Sequence, residues 1–385
     1  MAGPGERAGR QGLFGLGGTG ASPIPVFVMG VGLRCALGLS ALQAAMLMRA
    51  RMGEPRATRF LDKRGRFAGV HAAPGIPADL HGVERMIALS APALRAAVGM
   101  ALGPSARAST GVGGGAGTMG VAPMMGVGGE SARWPVFLAA PEKGRADDDG
   151  RFDGAIVAAI AEAAHVAVDV GRSRAIRAGH AGVAIAVAAA LEEIARGAPA
   201  VVVGGVDSYF HPDVLAWLDE EHRLHALDAE NGFVPGEGAA FFVLGPKLGG
   251  AAPVSVRRAV VGREETVLGD EPNIGASMTG ILRELCASAP GERLAWSMSD
   301  VNAERHRVRE WGLASGRGAF ADDAVHDRPV DDLGDLGAAS GAVFAALACE
   351  LYRVGGAKRS SVCVALASDG AERGAFLLAH EGGTR

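Results

Sequence analysis

The sequence predicts a layered α/β fold built from two similar halves, each with a helix buried at its centre. Three observations carry this reading. Gly182 to Arg196 is a nearly unbroken run of Ala, Val, Ile and Leu, too apolar all round for a surface helix. It feeds directly into Ala200–Val203, which reads as a fully buried strand. Gly334 to Arg353 repeats the design, with a Gly-rich turn followed by an Ala-rich helix. Finally, 49% of the 385 residues are hydrophobic but only 5% are aromatic, so small side chains must fill the core. Small residues suit helices packed closely on sheets.

Taken in order, residues 1–23 are rich in Gly, Ala and Pro without periodicity, and a disordered tail is expected. The first half is expected over 24–250 and the second over 251–385. Ile24 to Gly32 reads as a buried strand running into a turn. Leu39 to Arg51 reads as a helix with Ser40 near its start. From His81 to Leu102, Val83, Met86, Ile87, Ala91 and Leu94 recur at helical spacing. Residues from about 103 to 132, with Gly113-Gly114-Gly115 and Met124-Met125, read as a flexible loop.

Trp134 to Pro141 is a strand bounded by prolines, Phe152 to Ala164 a helix, and His165 to Val170 a strand or extended run. The acidic Asp147-Asp148-Asp149 between them reads as a solvated turn, because consecutive carboxylates converge on one ion only if the backbone turns sharply. Gly197 stops the central helix, and Gly204-Gly205 are expected to end its strand. Asp219 to Ala229 reads as irregular polar surface, and Asn231 to Ala240 as a Gly-rich loop entering the strand Ala240–Leu244. In the second half, Val254–Val261 reads as a strand, Ile274–Ala287 as a helix and Leu294–Asn302 as a strand or loop. Ser361–Ala367 and Gly374–Ala379 make a terminal hairpin turning at Ser368-Asp369-Gly370.

A formal charge of −4 offers no field for nucleic acid. Apolar runs long enough to span a membrane are broken by charges or glycines. The four cysteines, Cys35, Cys286, Cys349 and Cys363, lack metal-ligand spacing and read as reduced thiols. The first residues lack the apolar core of a secretory signal. A cytoplasmic protein without nucleic-acid, membrane, metal or cofactor partners is therefore expected.

Three segments, Gly204-Gly205-Val206-Asp207-Ser208, Asn231-Gly232-Phe233-Val234-Pro235-Gly236-Glu237-Gly238-Ala239-Ala240 and Leu336-Gly337-Ala338-Ala339-Ser340-Gly341-Ala342, together resemble the β-ketoacyl-acyl-carrier-protein synthases of the thiolase superfamily. The resemblance covers roughly Val26 to Leu378. It implies a thiolase-like fold of duplicated halves in α-β-α-β-α layers, usually dimeric, with the strand Val201–Gly205 near the two-fold axis.

The family's nucleophilic cysteine stands at the start of the first buried helix, where the helix dipole favours the thiolate. Here that position falls on Gly179 or, one residue on, His180. The family's first histidine follows Asn-Ala, where this chain has Asn302-Ala303-Glu304. Its second precedes the LGAA turn, where this chain has Asp335. The family's C-terminal Gly-rich loop is replaced by residues that include Ser368 and Asp369.

Two functions follow. The first is a catalytically degenerate ketosynthase-like protein acting as a dimerising or docking partner, like a chain-length factor or a secretion-system accessory protein. It pairs as a homodimer or with another thiolase-fold protein, with an acyl carrier protein or a secretion-system component as further candidate partners. The alternative is an active acyltransferase of the 3-oxoacyl-carrier-protein synthase type. In that reading His180, kept neutral by the helix N-terminus, acts as a base oriented by Glu304 or Asp335. It expects an open pocket at the start of the Gly182 helix. Glu237 is expected to be structural. Arg305, His306 and Arg307 are expected in solvent, as are Asp322-Asp323 and Asp331-Asp332.

Overall fold

The computed structural model describes residues 19–20, 24–103, 133–249, 251–268, 272–287 and 293–382. The tail expected at 1–23 and the loop expected at about 103–132 fall outside these, with two exceptions. Gly103 ends a helix, and β1 (Thr19–Gly20) pairs with the strand that opens the second half.

The first half supplies β2 (Phe27–Cys35), a separate hairpin of β3 (Arg56–Leu61) and β4 (Phe67–Val70), then β5 (Val136–Ala139), β6 (Arg174–Ile176), β7 (Val201–Ser208) and β8 (Glu237–Gly245). The second supplies β9 (Val254–Arg263), β10 (Leu294–Ser299), β11 (Phe320–Asp327), β12 (Ser361–Ala367) and β13 (Glu372–His380). Sheet order is β6-β5-β7-β8-β2 in one half and β9-β13-β12-β10-β11 in the other, joined through the pair Phe27 and Ser255. Leaving the hairpin aside, each half arranges its strands first-fifth-fourth-second-third. The second, third and fourth run parallel, and the other pairings are antiparallel. The duplication visible in the sequence as layout thus holds strand for strand.

The helices are α1 (Ala41–Arg49), α2 (Gly82–Leu102), α3 (Ala155–Ala164), α4 (Gly182–Ala195), α5 (Pro212–Glu220), α6 (Ala276–Ala287), α7 (Arg305–Ser315), α8 (Val330–Leu333) and α9 (Ser340–Arg353). Helices α4 and α9 share one core with the facing sides of both half-sheets, and all of α9 except Arg353 is buried. Helices α2 and α3 cover the outer face of the first half, and α6 and α7 that of the second. The result is the expected five layers. Helix α2 is long and apolar enough to cross a membrane, but its apolar face is spent on β2 and β8.

Several local expectations change. His165–Val170 is not a strand: His165 has a left-handed φ of 51°, which turns the chain out of α3, and the strand forms later at β6. Gly204-Gly205 do not end their strand, which runs on to Ser208. They serve close approach instead. A Cβ at Gly204 would strike the Phe241 ring, and one at Gly205 would come within 2.5 Å of the Ala338 carbonyl oxygen. Strand β7 is flanked by β5 and β8, so the free edge of this half-sheet is β6.

The acidic turn is a set of ion pairs rather than a solvated run. Asp147 meets Arg145 at 2.7 Å, Asp148 meets Arg177 at 2.7 Å and Asp149 meets Arg151 at 2.6 Å. Asp332 is buried against Arg51 at 2.8 Å.

Candidate functional site

Two short turns lead into the central helices: Gly179–Ala181 before α4 and Gly337–Ala339 before α9. Each begins on a glycine with positive φ, 54° at Gly179 and 50° at Gly337, which sharpens the bend into the helix. One amide in each of these turns is bonded by a side chain from the opposite half. Ala181 N–H donates to Ser368 Oγ at 2.9 Å, just past β12. Ala338 N–H donates to Asp207 Oδ2 at 2.8 Å, near the end of β7. These caps use the donors that a helix start leaves open.

The segment 231–240 sets the floor. Gly236 N–H donates to the Asp335 carbonyl at 2.8 Å, and Asp335 N–H donates back to Val234 at 2.8 Å. Glu237, fully buried, anchors this segment. It accepts from Arg85 at 2.5 and 2.7 Å, from Ala73 N–H at 2.7 Å and from Ser208 Oγ at 2.7 Å.

On this floor the structure brings all six sequence candidates together. His180 Nε2 donates to Asp335 Oδ1 at 2.8 Å, and Gly337 N–H donates to the same oxygen at 2.8 Å. Asn302 Nδ2 bridges Asp335 Oδ2 at 2.7 Å and Glu304 Oε2 at 3.1 Å. Arg223 grips Glu304 at 2.7 and 3.1 Å and Asp369 at 2.8 and 3.0 Å. Arg307 closes the circuit, donating to Asp369 Oδ1 at 2.6 Å while its Nη2 faces His180 Nδ1 at 3.4 Å. Arg307 is therefore buried, against expectation, because the inward stripe Arg307, Glu310, Ala314 of α7 turns it under His180; Arg305 and His306 stay exposed. Gly179 also has a neighbour: a side chain there would meet Glu142 Oε1 at 2.6 Å. That carboxylate accepts from Asp369 N–H at 3.1 Å and Gly370 N–H at 3.4 Å.

Electrostatics reverse one expectation. Burial disfavours a charged His180, and Arg307 opposes it too, but the Asp335 carboxylate outweighs both and lifts its pKa to about 9. The ring is held charged rather than neutral. Neither state gives it a free lone pair, since the imidazolium has none and the neutral ring would have Nδ1 facing Arg307. Burial also works against the Asp335 and Asp369 carboxylates, yet His180 holds the first below its usual range, and Arg307 and Arg223 hold the second there. Burial raises Asp300 and Glu142. It also pushes the buried thiols of Cys35 and Cys363 up to about 12, so neither is a thiolate at neutral pH.

A pH dependence follows. The raised His180 pKa adds stability that is complete below 6.5 and lost as pH rises through about 9. The depressed Asp335 adds stability that is present above 3.8 and lost as pH falls. Thermal unfolding across the alkaline limb is expected to show a falling midpoint in the parent. His180→Gln is expected to flatten that limb, and an unchanged limb would refute the assignment.

The cavity beside Asp300 and Arg307 is about 10 Å³, room for one water. A larger polar recess of about 240 Å³ lies by Leu37, Glu54 and His71 and touches none of these residues. Sequence reasoning missed Arg223, Arg307 and Glu142. The three-residue step from Glu304 to Arg307 to Glu310 was a usable signal; Arg223 and Glu142 carried none.

Two equivalent halves, five layers and a pair of facing helix starts define a thiolase-like fold, and the chain is similar in fold to ketosynthases. The family model for the β-ketoacyl synthase N-terminal domain matches residues 115–248. Among solved structures, the ishigamide ketosynthase/chain length factor is similar at 15% identity and TM-score 0.65, over 93% of this chain and 100% of that one. The ketosynthase AntDE in complex with the acyl-carrier protein AntF matches at 12% identity and TM-score 0.68, over 94% and 100%. The ketosynthase ApeO with its chain length factor ApeC from Xenorhabdus doucetiae matches at 13% and 0.67, over 93% and 98%. No curated protein matches the sequence.

Proposed function

We propose that the chain is a non-catalytic ketosynthase-like subunit that acts by pairing with another thiolase-fold protein, in the manner of a chain-length factor. The observation that carries this is the closed ion-pair ring at the start of α4. Acyl transfer through a thioester needs a nucleophile, a group free to move a proton and open N–H donors for the oxyanion. Gly179 has no side chain, and Glu142 fills the space one would use. His180 Nε2 is committed to Asp335, and its Nδ1 faces the Arg307 guanidinium at 3.4 Å. The N–H groups of Ala181, Asp369 and Gly370 are all engaged by side chains.

Pairing is supported by the solved relatives whose names join a ketosynthase to a chain length factor. It is also supported by β6, a short strand that among the described residues pairs with β5 and ends the sheet, and that could accept a strand from a partner. An acyl carrier protein is the second candidate partner, since one is complexed with the relative AntDE.

Incubation of the purified chain with malonyl- and acyl-loaded carrier protein is expected to give no ketoacyl product above the protein-free blank. His180→Cys is expected to remain inactive, because the engaged N–H groups and Glu142 stay in place. Elongation by the parent chain that disappears in His180→Ala would overturn the reading.

A further inference from the structure

We propose that the recess at the foot of the β3–β4 hairpin binds a small zwitterion, with Arg56 taking its carboxylate and Glu54 and His71 taking its ammonium. Three stretches of chain meet there: the loop between β2 and α1, the run from α1 into β3, and the chain leaving β4. Together they bound about 240 Å³. At a water's share of about 30 Å³, that is room for on the order of eight heavy atoms. The occupant is a small molecule, not a peptide.

On the floor lies a buried imidazole with an unanswered nitrogen. His71 is 3% exposed, and its Nδ1 has no hydrogen-bond partner among the described residues. Its backbone is pinned, since His71 N–H donates to the Pro235 carbonyl at 2.8 Å. Burial pushes the ring's pKa down to about 4 despite the opposing pull of Asp332, so the imidazole is neutral and keeps one lone pair. Asp332 is itself held by Arg51 at 2.8 Å. A buried polar atom without a partner costs the folded chain stability unless something supplies one. An ammonium is a donor that suits a neutral ring.

The rim carries the charges and decides the class of ligand. Glu54 and Arg56 are exposed, and neither side chain makes an ion pair or hydrogen bond among the described residues. Their opposite signs leave the recess without net charge. A lone carboxylate would meet Glu54 and a lone ammonium would meet Arg56, each a like charge on the same rim. An apolar molecule would strip water from both with nothing in return. A molecule bearing both charges satisfies both, while Leu37 below and Met52 at the edge give its methylenes an apolar wall. Residues two apart stand at most about 7 Å from each other along the chain, which suits ligand charges separated by about three methylenes. The recess touches no member of the ion-pair ring, so the inference holds whether or not the chain catalyses a reaction.

The probe is 4-aminobutanoate, titrated into the full chain carrying isotope-labelled histidine and followed by nuclear magnetic resonance. The His71 ring signal, identified by its loss in His71→Asn, is expected to move saturably with added ligand. Butanoate and butylamine, which carry one charge each, are expected to bind at least about tenfold more weakly than the zwitterion. Glu54→Gln and Arg56→Gln are each expected to weaken binding of the zwitterion about tenfold. Both substituted side chains are exposed, so circular dichroism should show these variants folded. A His71 signal that stays in place at millimolar 4-aminobutanoate would overturn the proposal. So would butanoate or butylamine binding as tightly as the zwitterion, or equal affinity of the parent and both rim variants.

Discussion

Asp335→Ala is expected to lose about 3–5 kcal/mol of unfolding free energy, the usual cost of removing one partner from a buried ion pair. The carboxylate joins three elements. It balances His180, orients Asn302 and accepts the Gly337 amide at the start of α9. Its removal takes away the group that offsets burial and Arg307 at His180, and leaves donors of Asn302 and Gly337 without their acceptor. Asp335→Asn should lose less, because an amide oxygen can still accept from Gly337 while the charge balance fails. A shift in the denaturant midpoint at unchanged slope is the readout. A loss below about 0.5 kcal/mol, the range of ordinary surface changes, would show that the ring contributes nothing to stability.

Glu237→Ala is expected to be of similar size, again about 3–5 kcal/mol. Arg85 is buried, its guanidinium lies 4.2 Å from the centre of the Phe210 ring, and its Nε and Nη2 both point at Glu237. Without the carboxylate, that charge keeps only the carbonyls of Pro77 and Leu80, bound by Nη1. Glu237→Gln preserves the shape and two acceptor directions, so it should fall between the parent and Ala. Urea unfolding of the three proteins tests the order, and Gln as damaging as Ala would argue against a role for the charge.

Much of this was legible in the residues. A helix apolar on every side can only be an inner layer, so the central position of α4 and α9 followed from composition. The site was half legible. Gly179, His180, Glu304 and Asp335 could be placed by motif spacing, because the segments around them are short and regular. What neutralises them could not, because Arg223 and Glu142 arrive from distant parts of the chain with no local pattern. The neutral His180 expected from a helix start fails for the same reason: a carboxylate at 2.8 Å from the other half outweighs the dipole. Gly204-Gly205 misled because glycine marks both a strand end and a close backbone approach, and only the facing Phe241 and Ala338 distinguish them.

The crossed caps at the helix starts also bear on how the molecule comes apart. The Ala181 amide is bonded by Ser368 and the Ala338 amide by Asp207, so each half holds the turn that leads into the other's central helix. Opening at the seam is therefore expected to release both turns at once. In native-state hydrogen exchange these two protons should therefore belong to the slowest, globally exchanging class, although both sit at helix ends where exchange is ordinarily fast.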